Sequence, residues 1–169
     1  MQKIGILGGG QLGRMLLQAA ANYPVETFVM ESESDCPAAH LCHHFTKGDI
    51  KNFDDVYNFG KRLDAITIEI ESVNEDALQK LEDEGVKVYP KPSALKIIKN
   101  KIIQKQFYKA NGIPTANFAI TNNLADLNNH PQLFPAFHKI AIGGYDGRGV
   151  ISLSTKDEIS KGFNEPAVL

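Results

Sequence analysis

The stretch Met1–Met15, MQKIGILGGGQLGRM, decides how this chain begins to fold. Lys3 to Leu7 is a short run of β-branched and aliphatic residues. Gly8, Gly10 and Gly13 follow on a GxGxxG spacing, and an apolar pattern of helical period starts directly behind them. That order predicts a strand, a tight turn and a helix N-terminus. Glycine suits the turn because its backbone can take positive φ and lets another group come close, while the unpaired N–H groups of the first helical turn and the helix dipole favour an anion. The turn therefore reads as an anion cradle. On this motif alone it is either the phosphate site of a dinucleotide-binding Rossmann unit, with Glu31 as the acid that grips a ribose, or a place where glycines let the first helix pack closely on a sheet.

Outward from the turn, Leu12, Met15, Leu16, Ala19 and Ala20 recur at helical spacing and paint one apolar stripe. Val25 to Met30 is a second strand, which completes a β-α-β unit. The segment ESESDCPAAH, residues 31–40, reads as a loop running into a short helix, with Asp35 as N-cap and Pro37 near the first helical position. Phe45 and Thr46 belong to a short third strand. Asn52 caps a helix with Asp54 and Asp55 in its first turn, and Asn74 caps another over Glu75 to Leu81. Leu63 to Ile70 is a buried strand and Val86 to Tyr89 a fifth. Glu69 and Glu71 stand two apart where the Leu63–Ile70 strand meets its loop. Ligands of open parallel sheets bind beyond the carboxyl ends of the strands, so this pair is either near the glycine turn as part of a site or a pair of solvated loop acids.

Composition narrows the partners. The chain has 169 residues, 43% hydrophobic and 22% charged, as in ordinary soluble globular proteins. A formal net charge of −2 gives no basic surplus for nucleic acid or an anionic membrane, so a small-molecule partner is expected. No apolar run approaches the roughly 18 residues of a membrane span, and the N-terminus lacks a secretory pattern, which reads as cytoplasmic. Cys36 and Cys42 read as free thiols. The cluster Cys36, His40, Cys42, His43 and His44 does not keep the paired spacing of structural zinc, so no metal ligands are assigned there.

In the second half, Ser93 is placed to cap one long helix running to about Asn111, stopped by Gly112 and Pro114. Lys101, Lys105 and Lys109 share a face of it, read as solvated. From Thr115 the pattern restarts: Phe118 to Ile120 as strand, Leu124 to Asn129 as short helix, Phe134 to Ile140 as strand. The cluster GGYDGRG, residues 143–149, then forms a flap before a strand over Val150 to Leu153. Lys156 to Phe163 reads as helix and Ala167 to Leu169 as the start of a strand. A glycine flap beside a lysine, here Lys139, can cover phosphates with backbone N–H groups and one cation; the alternative is an ordinary hairpin loop.

Taken in order, GGGQLGRM, the DCPA at 35–38, the EIESV at 69–73, the Lys101 helix and GGYDGRG resemble the 5-(carboxyamino)imidazole ribonucleotide synthase family, ATP-grasp enzymes of purine biosynthesis. The resemblance spans the whole chain. It implies an α/β fold: a Rossmann-like pre-ATP-grasp domain with a five-stranded, mainly parallel sheet over 1–92, a linking helix and turn over 93–114, and a partial α+β ATP-grasp small lobe over 115–169. It also implies an ATP-dependent ligase that carboxylates aminoimidazole ribonucleotide with bicarbonate, through carboxyphosphate, releasing ADP and phosphate. ATP would be held by Lys101, Lys139 and the flap Gly144, Tyr145, Asp146, Gly147, Arg148, Gly149 and Val150. Gly10, Gln11, Leu12, Glu69 and Glu71 would face the ribonucleotide. No residue is assigned as catalytic. Magnesium is implied with ligands beyond residue 169, so these residues are expected to be an N-terminal part, inactive alone; a dimer is suggested.

The sequence departs from the family at Lys101, where an arginine is frequent, at Ile140 to Ile142, often basic or polar, and at Val150, where glutamine is common. Lysine keeps the charge and loses the bidentate fork. The rival reading, an NAD-linked Rossmann oxidoreductase or a regulatory nucleotide-binding module, fits the first glycine motif and Glu31 but leaves GGYDGRG without a role. A third is a non-catalytic interaction domain.

Overall fold

The computed structural model describes residues 1–144 and 147–169, and these divide into two compact units, Met1–Lys96 and Ile97–Leu169. The first contains β1 (Gln2–Leu7), α1 (Gln11–Ala20), β2 (Val25–Glu31), β3 (His44–Lys47), α2 (Phe53–Gly60), β4 (Ala65–Ile68), α3 (Glu75–Asp83) and β5 (Lys87–Tyr89). It ends in α4 (Pro92–Lys99), which runs across the boundary between the units. The five strands form one sheet in the order β3-β2-β1-β4-β5, every pair parallel. The expected five-stranded parallel architecture is therefore the one observed.

Because side chains alternate along a strand, the register sorts the core into two layers. Leu7, Met30 and Ile66 are buried on one face under Val56 and Phe59 of α2 and Leu78 and Leu81 of α3. Ile6 and Val29 are buried on the other, against Leu17 of α1 and Ala38. Asn52 and Asn74 start α2 and α3 as expected, their side chains accepting the N–H groups of Asp55 and Ala77.

Three local expectations are corrected. The apolar stripe of α1 does not face the sheet: Leu12 and Met15 are 57% and 60% exposed, and the helix packs through Gly13 and Leu17. Gly13 makes this possible because a Cβ there would lie 2.8 Å from the Gly8 carbonyl oxygen. The DCPAAH segment forms turns instead of a helix, since the Ala38 N–H is drawn to the Gly9 carbonyl. The strand expected over 63–70 shortens to Ala65–Ile68, as the Leu63 N–H closes a turn on the Gly60 carbonyl.

The second unit holds α5 (Lys101–Ala110), β6 (Ile120–Thr121), β7 (Ala136–Ile140), β8 (Val150–Leu153) and β9 (Ala167–Val168). Its sheet has the order β6-β9-β7-β8 with antiparallel pairs. Leu127, Leu153 and Leu169 form its core, and the segments Leu124–Asn129 and Lys156–Lys161 are 3-10 turns where α-helices were expected. The single long helix expected over 93–111 is two helices. Asn100 breaks it: its backbone is extended, and its side chain accepts the N–H groups of Ile102 and Ile103, starting α5 afresh. Among the described residues, no helix is long and apolar enough to cross a membrane.

Candidate functional site

In the first unit the glycine turn between β1 and α1 already holds two carboxylates, both the protein's own. Glu69 follows β4, tied by its N–H to the Leu7 carbonyl, and reaches across the turn. Its Oε2 accepts the Gly10 N–H at 3.1 Å and its Oε1 the Leu12 N–H at 3.3 Å. Glu69 thus occupies the N-terminus of α1, where free N–H groups and the dipole favour a negative charge. A Cβ on Gly10 would meet Glu69 Oε1 at 2.4 Å, and one on Gly8, whose φ is +104°, would meet Oε2 at 2.6 Å. The glycines admit this side chain.

Gly9 is held from the other side. Its N–H donates to Glu31 Oε2 at 3.1 Å, while Glu31 Oε1 accepts the N–H and hydroxyl of Ser32 at 2.7 and 2.8 Å. Burial works against the Glu31 charge, but these donors outweigh it and its carboxyl sits below the usual carboxylate range. Both Glu31 oxygens are thus engaged by donors of the protein itself. At the helix end of the turn the acceptor in place is the protein's own Glu69 carboxylate.

What the turn leaves outward is Gln11, Leu12 and Glu71, all exposed. Beside them lies an apolar groove of about 350 Å³ lined by Leu12, Met15, Leu16, Ala19, Ile68 and Glu69. The structure thus brings Gly10, Leu12 and Glu69 into direct contact and leaves Glu71 at the surface.

In the second unit, β7 and β8 pair antiparallel with Lys139 opposite Val150, and the glycine cluster lies between them in the sequence. Tyr145 and Asp146 lie outside the described residues. Gly143, Gly147 and Gly149 take positive φ, and a Cβ on Gly149 would fall 2.5 Å from the Ile140 side chain. Lys101, first residue of α5, donates its N–H to the Ala141 carbonyl at 2.8 Å, and its Nζ would stand 3.5 Å from a Cβ on Gly144. Its ammonium therefore lies against the flap. Arg148 is exposed.

Lys139 is exposed and lines a cavity of about 280 Å³ together with Lys105, Phe118, Phe137 and Leu169. Lys105 was read as solvated; instead it is half-buried, bonded to the Thr115 hydroxyl and 5.5 Å above the Phe118 ring. Its spacing one turn after Lys101 was a signal that it shares that residue's side of the helix. Among the described residues, no group of three or more His, Cys, Asp or Glu is arranged to hold a metal ion.

Comparison with known proteins fits this geometry. Residues 1–99 match the family described as the ribonucleotide synthetase preATP-grasp domain, more than half of the chain. The chain belongs to that family. This preATP-grasp chain is 36% identical over 157 residues to a chloroplastic phosphoribosylaminoimidazole carboxylase of Vigna aconitifolia, covering 93% of this chain and 28% of the relative. It is 36% identical to an N5-carboxyaminoimidazole ribonucleotide synthase of Brucella melitensis, over 92% of this chain and 43% of the relative. Among solved structures, the N5-carboxyaminoimidazole synthase of Aspergillus clavatus in complex with ADP and 5-aminoimidazole ribonucleotide superposes with a TM-score of 0.86 at 30% identity. That match covers 99% of this chain and 46% of the other. The preATP-grasp chain thus spans less than half the length of these relatives.

Proposed function

We propose that this chain supplies part of the binding apparatus of an ATP-dependent ligase that carboxylates 5-aminoimidazole ribonucleotide. ATP phosphorylates bicarbonate to carboxyphosphate, and the exocyclic amine of the ribonucleotide takes its carboxyl as a carbamate, releasing phosphate. The relatives named above are a phosphoribosylaminoimidazole carboxylase and N5-carboxyaminoimidazole ribonucleotide synthases, and one of them binds both ADP and the ribonucleotide, which supports this reading. The observation that carries the reading is the Lys101 ammonium set against Gly144 of the flap.

Phosphoryl transfer is largely positioning and charge neutralisation. In this reading Lys101, Lys139 and the flap Gly144–Val150 hold the nucleotide's phosphates, with backbone N–H groups and two cations aimed at the same charge. Gln11, Leu12 and Glu71 face the ribonucleotide. Glu69 and Gly10 belong to the same face: each Glu69 oxygen accepts one backbone N–H, from Gly10 and Leu12, and keeps a second lone pair for a hydroxyl or amine donor of the ligand. Magnesium and a dimer belong to the same reading through the family resemblance. The described residues offer no cluster of His, Cys, Asp or Glu to hold the metal.

Thermal unfolding in the presence of ligands tests the proposal. Aminoimidazole ribonucleotide at about 100 times its Kd should stabilise the chain by roughly 2.7 kcal/mol. Stabilisation by NADH and not by the ribonucleotide would sink it.

A further inference from the structure

We propose a second ligand site in the first unit, away from the glycine turn, that takes a planar aromatic group bearing an oxyanion. On the face of the sheet covered by α2 and α3, a cavity of about 470 Å³ lies at the β2–β3 edge beside α2. Its floor is apolar: Phe28 and Met30 of β2, Phe59 of α2 and Leu63 behind it. Gly5, paired with Phe28 in register, keeps the floor low, because a Cβ there would strike Leu63 at 2.5 Å and Phe59 at 2.9 Å. The His44 ring, stacked on Phe28 with centroids 4.4 Å apart, continues this aromatic surface toward the sheet edge.

The rim is cationic. Lys3, Lys47 and Arg62 all line the cavity and are exposed. The Asp64 N–H bonds the Lys3 carbonyl, so Arg62 and Lys3 stand at the end where β1 begins, while Lys47 closes the end where β3 stops. Three carboxylates stand at the cavity, Asp55 in its lining and Glu26 and Asp64 beside it, and each is engaged: Asp64 Oδ2 accepts the Lys3 N–H at 2.7 Å. Asp55 Oδ2 accepts the Asp49 N–H at 2.8 Å, and Glu26 Oε1 is 2.7 Å from His44 Nε2. Three cations facing an apolar, partly aromatic floor select a flat ring that lies on Phe28 and projects its charge toward Arg62 and Lys3. A neutral ring lacks the partner for the rim, and inorganic phosphate lacks the partner for the floor.

The test is amide-resolved NMR titration of the full chain with 1-naphthyl phosphate, with 1-naphthalenemethanol and inorganic phosphate in parallel. Shifts confined to Phe28, Thr46, Asn58, Arg62 and Leu63 are expected, with both control compounds binding at least tenfold more weakly. Arg62→Glu should raise the Kd at least tenfold while the rest of the spectrum is unchanged. Lys47→Glu, on the exposed end of β3, serves the same purpose should the first variant unfold. Equal affinity for the neutral alcohol, or shifts confined to Gly10–Leu12 or the flap Gly144–Val150, overturns the proposal. Because the readout does not involve ATP or the ribonucleotide, its failure is distinct from failure of the proposed carboxylation.

Discussion

The carboxylate of Glu69 and the backbone nitrogen of Gly10 lie 3.1 Å apart, so the glycine turn of this fold is closed by a side chain 59 positions further along the chain. A charged acceptor on the first N–H groups of a helix is worth more than a neutral one. Glu69→Gln removes the charge and turns an NH2 group toward one of the two donors, Gly10 N–H or Leu12 N–H, leaving the amide oxygen for the other. The expected cost is about 0.5–2 kcal/mol of stability, the usual range for a lost helix cap. Urea unfolding of the two proteins checks this, and an unchanged midpoint would mean that the contact contributes nothing.

Gly10→Ala should act through the same contact. Its Cβ would come within 2.4 Å of Glu69 Oε1, forcing the carboxylate off the turn. A loss of about 1–3 kcal/mol is expected, as for other overpacked sites. Once Glu69 is already Ala, the added methyl meets no carboxylate. The double variant should therefore be less destabilised than the sum of the singles, by about 0.5–3 kcal/mol of coupling. Strict additivity would contradict the geometry.

How much of this was legible beforehand follows from which interactions are local. The strand, turn and helix of residues 2–20 and the caps at Asn52 and Asn74 are written in neighbouring residues and stand as read. The five strands were each legible as apolar runs between helices, and the family resemblance implied the mainly parallel sheet that they form. The break at Asn100 was hidden because asparagine is tolerated in a helix pattern, and only its side-chain bonds to Ile102 and Ile103 show that it starts a new one. The stripe of α1 misled because apolar period reveals a face without saying what covers it; Gly13 and Leu17 won the sheet. Glu31 and Glu69 were both marked as ligand-facing acids. Their engagement with Gly9 and Gly10 depends on contacts 22 and 59 residues apart, which spacing alone does not reveal.

His138 gives the second unit a pH dependence. It is fully buried; its Nδ1 accepts the Phe163 N–H at 3.2 Å, and its Nε2 lies 2.9 Å from the Thr121 hydroxyl. Burial lowers its pKa from the ordinary 6.5, so the folded state keeps the ring neutral while the unfolded chain takes up a proton near 6.5. Stability from this group is complete above pH 6.5 and falls as the pH drops below it toward the folded pKa. Denaturant midpoints across pH 5–8 should show this decline, and His138→Gln should flatten it while lowering stability throughout. An equal slope in the variant would assign the effect to other groups.

Lys101 and Lys105 sit one helical turn apart, yet the structure uses them differently, and this allows the nucleotide reading to be tested residue by residue. Lys101 lies against Gly144 of the flap, whereas Lys105 shares a cavity with Lys139. Lys109, the next on that face, is exposed and serves as the control for a general loss of positive charge. If the flap and its cations hold phosphates, Lys101→Ala and Lys139→Ala should each weaken ADP binding about tenfold, near 1.4 kcal/mol. Lys109→Ala should leave it unchanged. Lys105→Met keeps the length of the side chain over Phe118 and removes the charge, so a loss comparable to Lys139→Ala would make Lys105 a third phosphate-holding lysine. Calorimetric titration separates the cases. Three equal losses, Lys109 included, would reduce the effect to bulk electrostatics and leave the flap without a nucleotide.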